Sequence, residues 1–439
     1  MRDLILTLLI PAVLAWGLTS SRRSLYVLTW MCFQRPQDFA SNFLAGLPLF
    51  QIALVLAVVS HLVRGDFRFR LSGTLALQVL FLLWVTVTTV LAFNAAHAWE
   101  FYLGYVPSLL AMPVIYMATI RDLPTLRAVI WIAAGSIALN GTKVGLAYAL
   151  SGGGIITTQI SGFVGDNNVF GLVLCVVVAI VYSLRATLPD KPWMLWALRA
   201  ALLLNVLCIL FTKSRGALLT LLIIGLIAAL QSGRAVRNVF ALLMACVVLY
   251  AALPSSYFDR VETLSDVRAD TSAMGRLENW RLSLDEALEN PAFGVGPDNH
   301  MLYNKAKGTD VVVRVAHSVY FQILGENGFP GLLLYALFLL VSISSIYRCW
   351  RLAQSAQTTR PDLRWVRDLS FALFCAFVAY SFGAGLLNML YIEFPWDMLL
   401  LGSMLLPLLR EELKKGVQGG EESPAASNVA PGRPAYGVR

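Results

Sequence analysis

Apolar runs of membrane-spanning length recur along almost the whole chain, and no other feature limits its fold so severely. A helix needs about 20 mostly apolar residues to cross the hydrocarbon core of a bilayer. Runs of this kind, some of them short, cover 4–18, 24–34, 47–63, 73–93, 101–119, 126–150, 167–186, 193–212, 216–231, 236–253, 328–347, 366–388 and 391–410. They predict about 12 or 13 crossings, depending on whether the first two runs each span. Backbone polar groups in lipid must be bonded internally, so only helices and closed barrels cross it. The alternating pattern of a barrel strand is absent. The expected fold is an all-α integral membrane protein, a polytopic bundle of about 12 transmembrane helices with one large helical loop. The first run follows only Met1-Arg2-Asp3 and shows no small-x-small cleavage site, so it is read as retained.

The net charge of +8 would suggest a nucleic-acid partner if the basic residues were spread evenly. They are not. Arg64, Arg68 and Arg70 form one group, and Arg121 with Arg127 another, followed by Arg185 with Lys191 and Arg234 with Arg237. Arg348, Arg351, Arg360, Arg364 and Arg367 share a loop, and Arg410, Lys414 and Lys415 open the tail. Even numbers of predicted crossings separate these groups, which places them all on the cytoplasmic face by the positive-inside rule. Nucleic acid is thus not an expected partner. Cys32, Cys175, Cys208, Cys246, Cys349 and Cys375 lie within or beside apolar runs without CxxC spacing, and read as packing residues.

The opposite face receives 94–100, 151–166, 213–215, 254–316 and 388–393, of which only 254–316 is large. That loop holds seven basic and ten acidic residues, a net charge of −3, so its arginines are no general basic coat. The chain therefore divides into an N-terminal bundle (1–253), the loop (254–316), C-terminal membrane helices (317–415) and a Gly-, Pro- and Ser-rich tail (416–439) expected to be disordered. Within the loop, Leu277, Trp280, Leu284 and Leu288 recur at helical spacing and predict an amphipathic helix over 272–290, ended by Asn290-Pro291. A turn at Gly294-Val295-Gly296-Pro297 and a helix opening near His317-Ser318 follow.

Phe211-Thr212-Lys213-Ser214-Arg215-Gly216 puts two cations in a bare break between two apolar runs, on the face where positive charge is scarce. Cations at helix ends commonly snorkel to the interface. This break is very tight and its charge opposes the topology, so Lys213 and Arg215 read better as an anion site: guanidinium as a planar fork, ammonium as a point charge. Three further groups share that face. Arg276 lies four residues before Trp280, within reach of a cation–π contact or free to be solvated. Arg281 can pair with Asp285. His317 stands where the loop re-enters the membrane; many such histidines are structural, but a neutral imidazole there is placed to accept a proton from a hydroxyl. His300 lies in a more polar, mobile stretch and is the weaker candidate. Asp166-Asn167-Asn168, after Gly152-Gly153-Gly154, caps a helix and can also hold a sugar or phosphate at its N-terminus. Glu326 reads as a cap or hinge. No HxxxH, DxD or ligand-spaced cluster marks a metal site, so a bound diphosphate would need cationic side chains to neutralise it.

Thr212-Lys213-Ser214-Arg215-Gly216-Ala217, Arg276-Leu277-Glu278-Asn279-Trp280, Pro291-Ala292-Phe293-Gly294-Val295-Gly296, His317-Ser318-Val319-Tyr320 and Leu324-Gly325-Glu326-Asn327-Gly328-Phe329-Pro330-Gly331 occur in this order over the second half of the chain. Each is weak alone; together they resemble the O-antigen ligase/polymerase family of bacterial envelope enzymes. Phe33-Gln34-Arg35-Pro36-Gln37-Asp38 and Gly165-Asp166-Asn167-Asn168 are more similar to its O-glycosylation ligase branch. The resemblance implies a multi-pass inner-membrane protein whose large helical loop is periplasmic. It implies glycan transfer on that face from an undecaprenyl-diphosphate donor, with neither metal nor other cofactor. The acceptor is a sugar hydroxyl of the lipid A core in a ligase, another lipid-linked repeat in a polymerase, and a protein side chain in an oligosaccharyltransferase. Carried over by position, Arg215 and Arg276 bind the diphosphate and His317 activates the acceptor. Lys213 and Asp166-Asn167-Asn168 are added from local chemistry as donor contacts, with Trp280, Arg281 and Tyr320 as further substrate-binding candidates. A transporter for a lipid-linked glycan is the alternative of a different class, but no inverted repeat with paired broken helices supports it, and the polar residues gather at one face and not at the midplane.

Overall fold

The computed structural model describes residues 2–41, 43–65, 71–151, 166–252, 271–309 and 313–421. Arg68, Arg70, the Gly152-Gly153-Gly154 run, Gly165, 253–270 and 310–312 of the loop, and 422–439 of the tail lie outside the described residues. Within them the chain is helical, without strands. The helices are α1 (Arg2–Gly17), α2 (Ser21–Gln34), α3 (Leu49–Arg64), α4 (Gly73–Val90), α5 (Ala95–Thr119), α6 (Leu123–Leu150), α7 (Asn167–Ser183), α8 (Pro192–Phe211), α9 (Arg215–Leu230), α10 (Ala235–Ala252), α11 (Thr271–Glu289), α12 (His300–Ala306), α13 (Val319–Ser355), α14 (Arg364–Gly383) and α15 (Glu393–Glu421).

Polar residues between the apolar runs set many of these boundaries. Ser72 accepts from the Leu75 N–H at 3.1 Å, Asp122 from Thr125 at 2.7 Å and Ser20 from Arg23 at 3.2 Å. Such caps contribute about 1 kcal/mol each by satisfying amides that the helix leaves open. Helix α7 is apolar on all sides and is buried along nearly its whole length. Around Trp396 of α15, Phe338 (4.6 Å between ring centroids), Phe81 (5.3 Å) and Tyr335 (5.4 Å) form an aromatic knot that joins α4, α13 and α15.

Among the described residues, seven helical segments are long and apolar enough to cross a membrane: Gly73–Val90, Ala95–Thr119, Leu123–Leu150, Asn167–Thr187, Pro192–Phe211, Val319–Ser355 and Pro361–Leu386. The protein is therefore a membrane protein, with fewer full-length spans by this measure than the apolar runs predict. Helix length and charge account for part of the difference. Helices α1, α3 and α9 have 16 residues each and α2 has 14; at 1.5 Å per residue, α2 reaches about 21 Å, short of a ~30 Å core. Helix α15 carries Glu393 and Asp397 in its first turns.

The basic loops do meet at one end of the bundle. Arg22 pairs with Asp122 at 2.9 Å, Arg64 donates to the Leu18 carbonyl at 2.5 Å, and Arg127 lies 5.1 Å from the Trp365 ring centroid. Arg360 reaches Glu412 at 3.6 Å, and Arg185, Arg199 and Arg364 line one cavity. Five cysteines, Cys32, Cys175, Cys208, Cys349 and Cys375, are free and buried.

At the other end, the segment after α11 is sewn to α4. Phe93 N–H donates to Val295 O and Asn94 N–H to Asn299 Oδ1, both at 2.9 Å, while Phe293 stacks on Trp84 at 5.4 Å. Val295 and Gly296 donate in turn to the carbonyls of Gly325 and Glu326. Here α13 bends: Gly328 has φ 67° and ψ −174°, a conformation open essentially to glycine alone, and a Cβ on it would lie 2.6 Å from Ala292 O.

Candidate active site

His317 occupies a short connection into α13 that is fixed from several sides. Its own φ is +49°, an uncommon left-handed conformation for a non-glycine residue. On its N-terminal side, Trp280 Nε1 donates to Ala316 O at 2.7 Å, and Arg314 N–H donates to Asn279 Oδ1 at 2.8 Å. On its C-terminal side, Ser318 N–H donates to Asn388 Oδ1 at 3.1 Å, and Ser318 caps α13. Trp280 also stacks flat on Phe321, 5.0 Å away and 8° from parallel, and Tyr320 OH donates to Ser381 O at 2.5 Å. A strained residue held by this many contacts is a mark of functional positioning.

The imidazole itself is left available. His61 bonds Ala57 O and Thr119 Oγ1, His97 pairs with Asp298 at 2.9 Å, and His300 Nδ1 lies 2.7 Å from Glu286 Oε1. Among the described residues, His317 alone of the four histidines has no hydrogen-bond partner on its ring. Partial burial pushes its pKa below the ordinary 6.5. The positive charges of Arg276 and Arg314 push the same way, while Asp166 opposes them. The ring is thus held neutral at neutral pH, the form that can accept a proton.

Those charges also show what gathers here. Arg276 from α11, Asp166 from the start of α7 and Arg314 all act on His317. Asp166 Oδ1 accepts from the Asn168 and Val169 amides at 2.7 and 3.0 Å, which is the helix-capping role expected of it, and Asn167 and Asn168 form the first turn behind it.

Lys213 and Arg215 sit on the neighbouring turn between α8 and α9. Lys213 has φ +53° and donates its N–H to Leu210 O, while Ser214 caps α9 by accepting from Ala217 N–H at 3.3 Å. Both cationic side chains are exposed. The turn packs closely on α7, since a Cβ at Gly171 would stand 2.9 Å from Thr212 Oγ1 and Ala217 Cβ. Gly216 faces Leu386 and Leu387, which lead directly to Asn388 and its bond to Ser318. Contacts therefore run unbroken from the Lys213–Arg215 turn to the His317 connection, although neither cation is among the charges acting on the imidazole.

Two expectations are corrected. Helix α11 forms where the pattern predicts, but its Leu277, Leu284 and Leu288 are 48%, 38% and 62% exposed, whereas Asn279, Ser283 and Glu286 are buried. The polar stripe turns inward because each end has partners from distant segments: Arg314 N–H on Asn279, and Asn304 with His300 on Glu286. His300, expected in a mobile stretch, is accordingly buried in α12. Arg281 is 84% exposed on its side chain and lies 4.0 Å from Asp285, the pairing anticipated for it.

Behind the connection lies a polar cavity of about 40 Å³, bounded by Glu286, His300, Glu326 and Asn388. Glu326 is buried and accepts from Gln322 at 3.2 Å and Tyr391 OH at 3.1 Å. The cavity admits a few waters but nothing the size of a sugar. Among the described residues, no group of three or more His, Cys, Asp or Glu could hold a metal ion. Sequence reasoning passed over Arg314, Asn279 and Asn388 as functional groups. Asn279 lay inside a noticed motif, but its bond to residue 314 spans a separation that no local pattern encodes.

Residues 200–336 match the family model described as O-Antigen ligase, which takes in Lys213, Arg215, Arg276 and His317. Residues 1–185 match a model described as a family of unknown function. No curated protein matches the chain.

Proposed function

From the match of residues 200–336 to the O-antigen ligase family, we propose a glycosyltransferase of the bacterial inner membrane that works on the periplasmic face. It moves a glycan from undecaprenyl diphosphate to a sugar hydroxyl of the lipid A core. The observation that carries this reading is the partly buried imidazole of His317, without a hydrogen-bond partner among the described residues and under the charges of Arg276, Arg314 and Asp166. The basic loops at the far end of the bundle support the orientation. In it, 1–253 and 317–415 form the membrane body, 254–316 the periplasmic loop and 416–439 a cytoplasmic tail.

The polyprenyl chain lies in lipid, with its diphosphate at Lys213, Arg215 and Arg276. The acceptor oxygen attacks the anomeric carbon as the bond to the diphosphate breaks, and the hydroxyl proton passes to His317. Positive charge builds on the anomeric carbon and negative charge on the leaving diphosphate. Preorganised cations favour that transition state over the ground state. One displacement inverts the anomeric centre, and no metal is required because the guanidinium and ammonium groups neutralise the leaving group. Asp166-Asn167-Asn168, Trp280 and Tyr320 border the donor and acceptor.

Purified protein in liposomes, given undecaprenyl-diphosphate-linked glycan and lipid A core in EDTA, tests this directly. Glycan on the core is the expected product. Longer donor-linked chains with untouched core would indicate a polymerase instead. Donor moved between leaflets without transfer would indicate a transporter.

A further inference from the structure

Arg199 is the one charged residue of α8, an apolar helix of membrane-spanning length, and lies about two turns, or ~10 Å, from its start. A cation at that depth is costly unless a site makes use of it. Its guanidinium lies 4.8 Å from the ring centroid of Trp196, nearer the helix start. Trp196 and Trp193 are each 66% exposed, and outward-facing tryptophans of this kind mark the boundary between membrane and water. The charge is thus held at the level of the interface.

A cavity of about 530 Å³ opens beside it. Helices α8 and α14 both pack on α7, and the cavity lies between their ends where the basic loops meet. Arg199 lines it from α8, Arg185 from the turn after α7 and Arg364 from the first turn of α14. Arg185 is braced on Tyr182, donating to its carbonyl at 2.7 Å with the guanidinium 4.0 Å from the ring centroid. One carboxylate shares the lining, that of Asp368. It lies 3.8 Å from Arg364 and also accepts from Arg367 Nε at 2.8 Å. Among the described residues, neither Arg185 nor Arg199 enters an ion pair. Like charges brought to one cavity from three elements repel one another, and an anion among them relieves that cost. The remaining wall is apolar: Leu195, Leu198 and Leu202 share one face of α8 and line the same space.

We propose that this cavity binds the headgroup phosphate of an anionic phospholipid, in the leaflet that is cytoplasmic in the orientation given above. Guanidinium groups hold phosphate oxygens through paired hydrogen bonds. The acyl chains follow the leucine face of α8 into the bilayer. Basic pockets between membrane helices on the cytoplasmic side recognise anionic headgroups in this manner. A zwitterionic lipid brings its own cation toward the three arginines and is the poorer ligand.

The test follows heat unfolding of full-length protein in a neutral detergent. Phosphatidylglycerol, phosphatidylcholine of the same chains, or inorganic phosphate is added at increasing concentration. Phosphatidylglycerol should raise the unfolding midpoint in a saturable way, while the other two leave it in place. Arg199→Gln and Arg185→Gln should each weaken the apparent affinity for phosphatidylglycerol about tenfold. Arg237→Gln removes one cation from another loop expected on the same face, and should leave that affinity unchanged. The lipid-free midpoint of each variant separates loss of fold from loss of binding, and if one arginine is needed for folding the other carries the comparison. An equal response to phosphatidylcholine would make the cavity a general lipid seat. A response to inorganic phosphate would make it a site for soluble anions, and equal weakening by Arg237→Gln would reveal only diffuse attraction to the surface. Each of these results overturns the proposal. No glycan transfer is measured, so failure here leaves the proposed reaction untouched, and failure of that reaction leaves this site untouched.

Discussion

Trp280 donates its indole N–H to the carbonyl of Ala316 at 2.7 Å, one residue before His317, while its ring lies flat on Phe321. One side chain thus fixes both the entry to the left-handed turn and the helix that leaves it. Trp280→Phe keeps an aromatic ring over Phe321 and removes the donor. A buried carbonyl left without its partner costs about 1–3 kcal/mol, and a base slightly out of register slows transfer. The expected outcome is a roughly tenfold lower kcat with little change in donor KM, read from initial rates over a donor titration.

The acid limb of the rate profile follows from the charges around His317. The imidazole must be neutral to accept a proton, and burial with Arg276 and Arg314 holds its pKa below 6.5 while Asp166 works against them. The midpoint of the acid limb should therefore lie below pH 6.5, with transfer rising toward its plateau above it. Asp166→Asn removes the opposing carboxylate but keeps a good cap for α7, so the limb should move to lower pH. Arg314→Gln removes a cation and should move it to higher pH. Initial rates across pH 5–8 decide the matter, and shifts in the reverse sense would contradict the arrangement.

Arg215 is read as a two-pronged contact to the diphosphate. Arg215→Lys keeps the charge and loses the fork. Donor-dependent kcat/KM should fall by at least about tenfold, measured with lipid-linked glycan at fixed acceptor. Full retention of rate would leave Arg215 as a point charge at most.

The bend at Gly328 joins the loop to the membrane helices. Its φ is +67°, and a Cβ added there would stand 2.6 Å from Ala292 O, so Gly328→Ala meets both backbone strain and a clash with a carbonyl. A loss of about 2 kcal/mol or more is expected, seen as a lower midpoint for thermal unfolding in detergent.

The parts of this fold that were legible in the sequence are those encoded locally. Apolar runs located the helices, and Ser214, Asp166 and Ser318 cap α9, α7 and α13 beside the residues singled out for chemistry. The tight Lys213–Arg215 break declared itself by charge alone. What escaped depended on distant partners. Leu277, Leu284 and Leu288 have the spacing of a buried stripe, yet Asn279 and Glu286 take the inside because Arg314, His300 and Asn304 arrive there to satisfy them. The run at 24–34 likewise belongs to a short helix, since α2 stops at Gln34 and the chain turns at Arg35 in a left-handed conformation.

The central claim is that His317 accepts the proton of the attacking hydroxyl. The most direct measurement is glycan transfer to lipid A core by His317→Ala, in EDTA, with and without added imidazole. The account predicts transfer lost in the variant, donor binding kept, and partial rescue that rises with the concentration of neutral imidazole. Undiminished transfer by His317→Ala would contradict it.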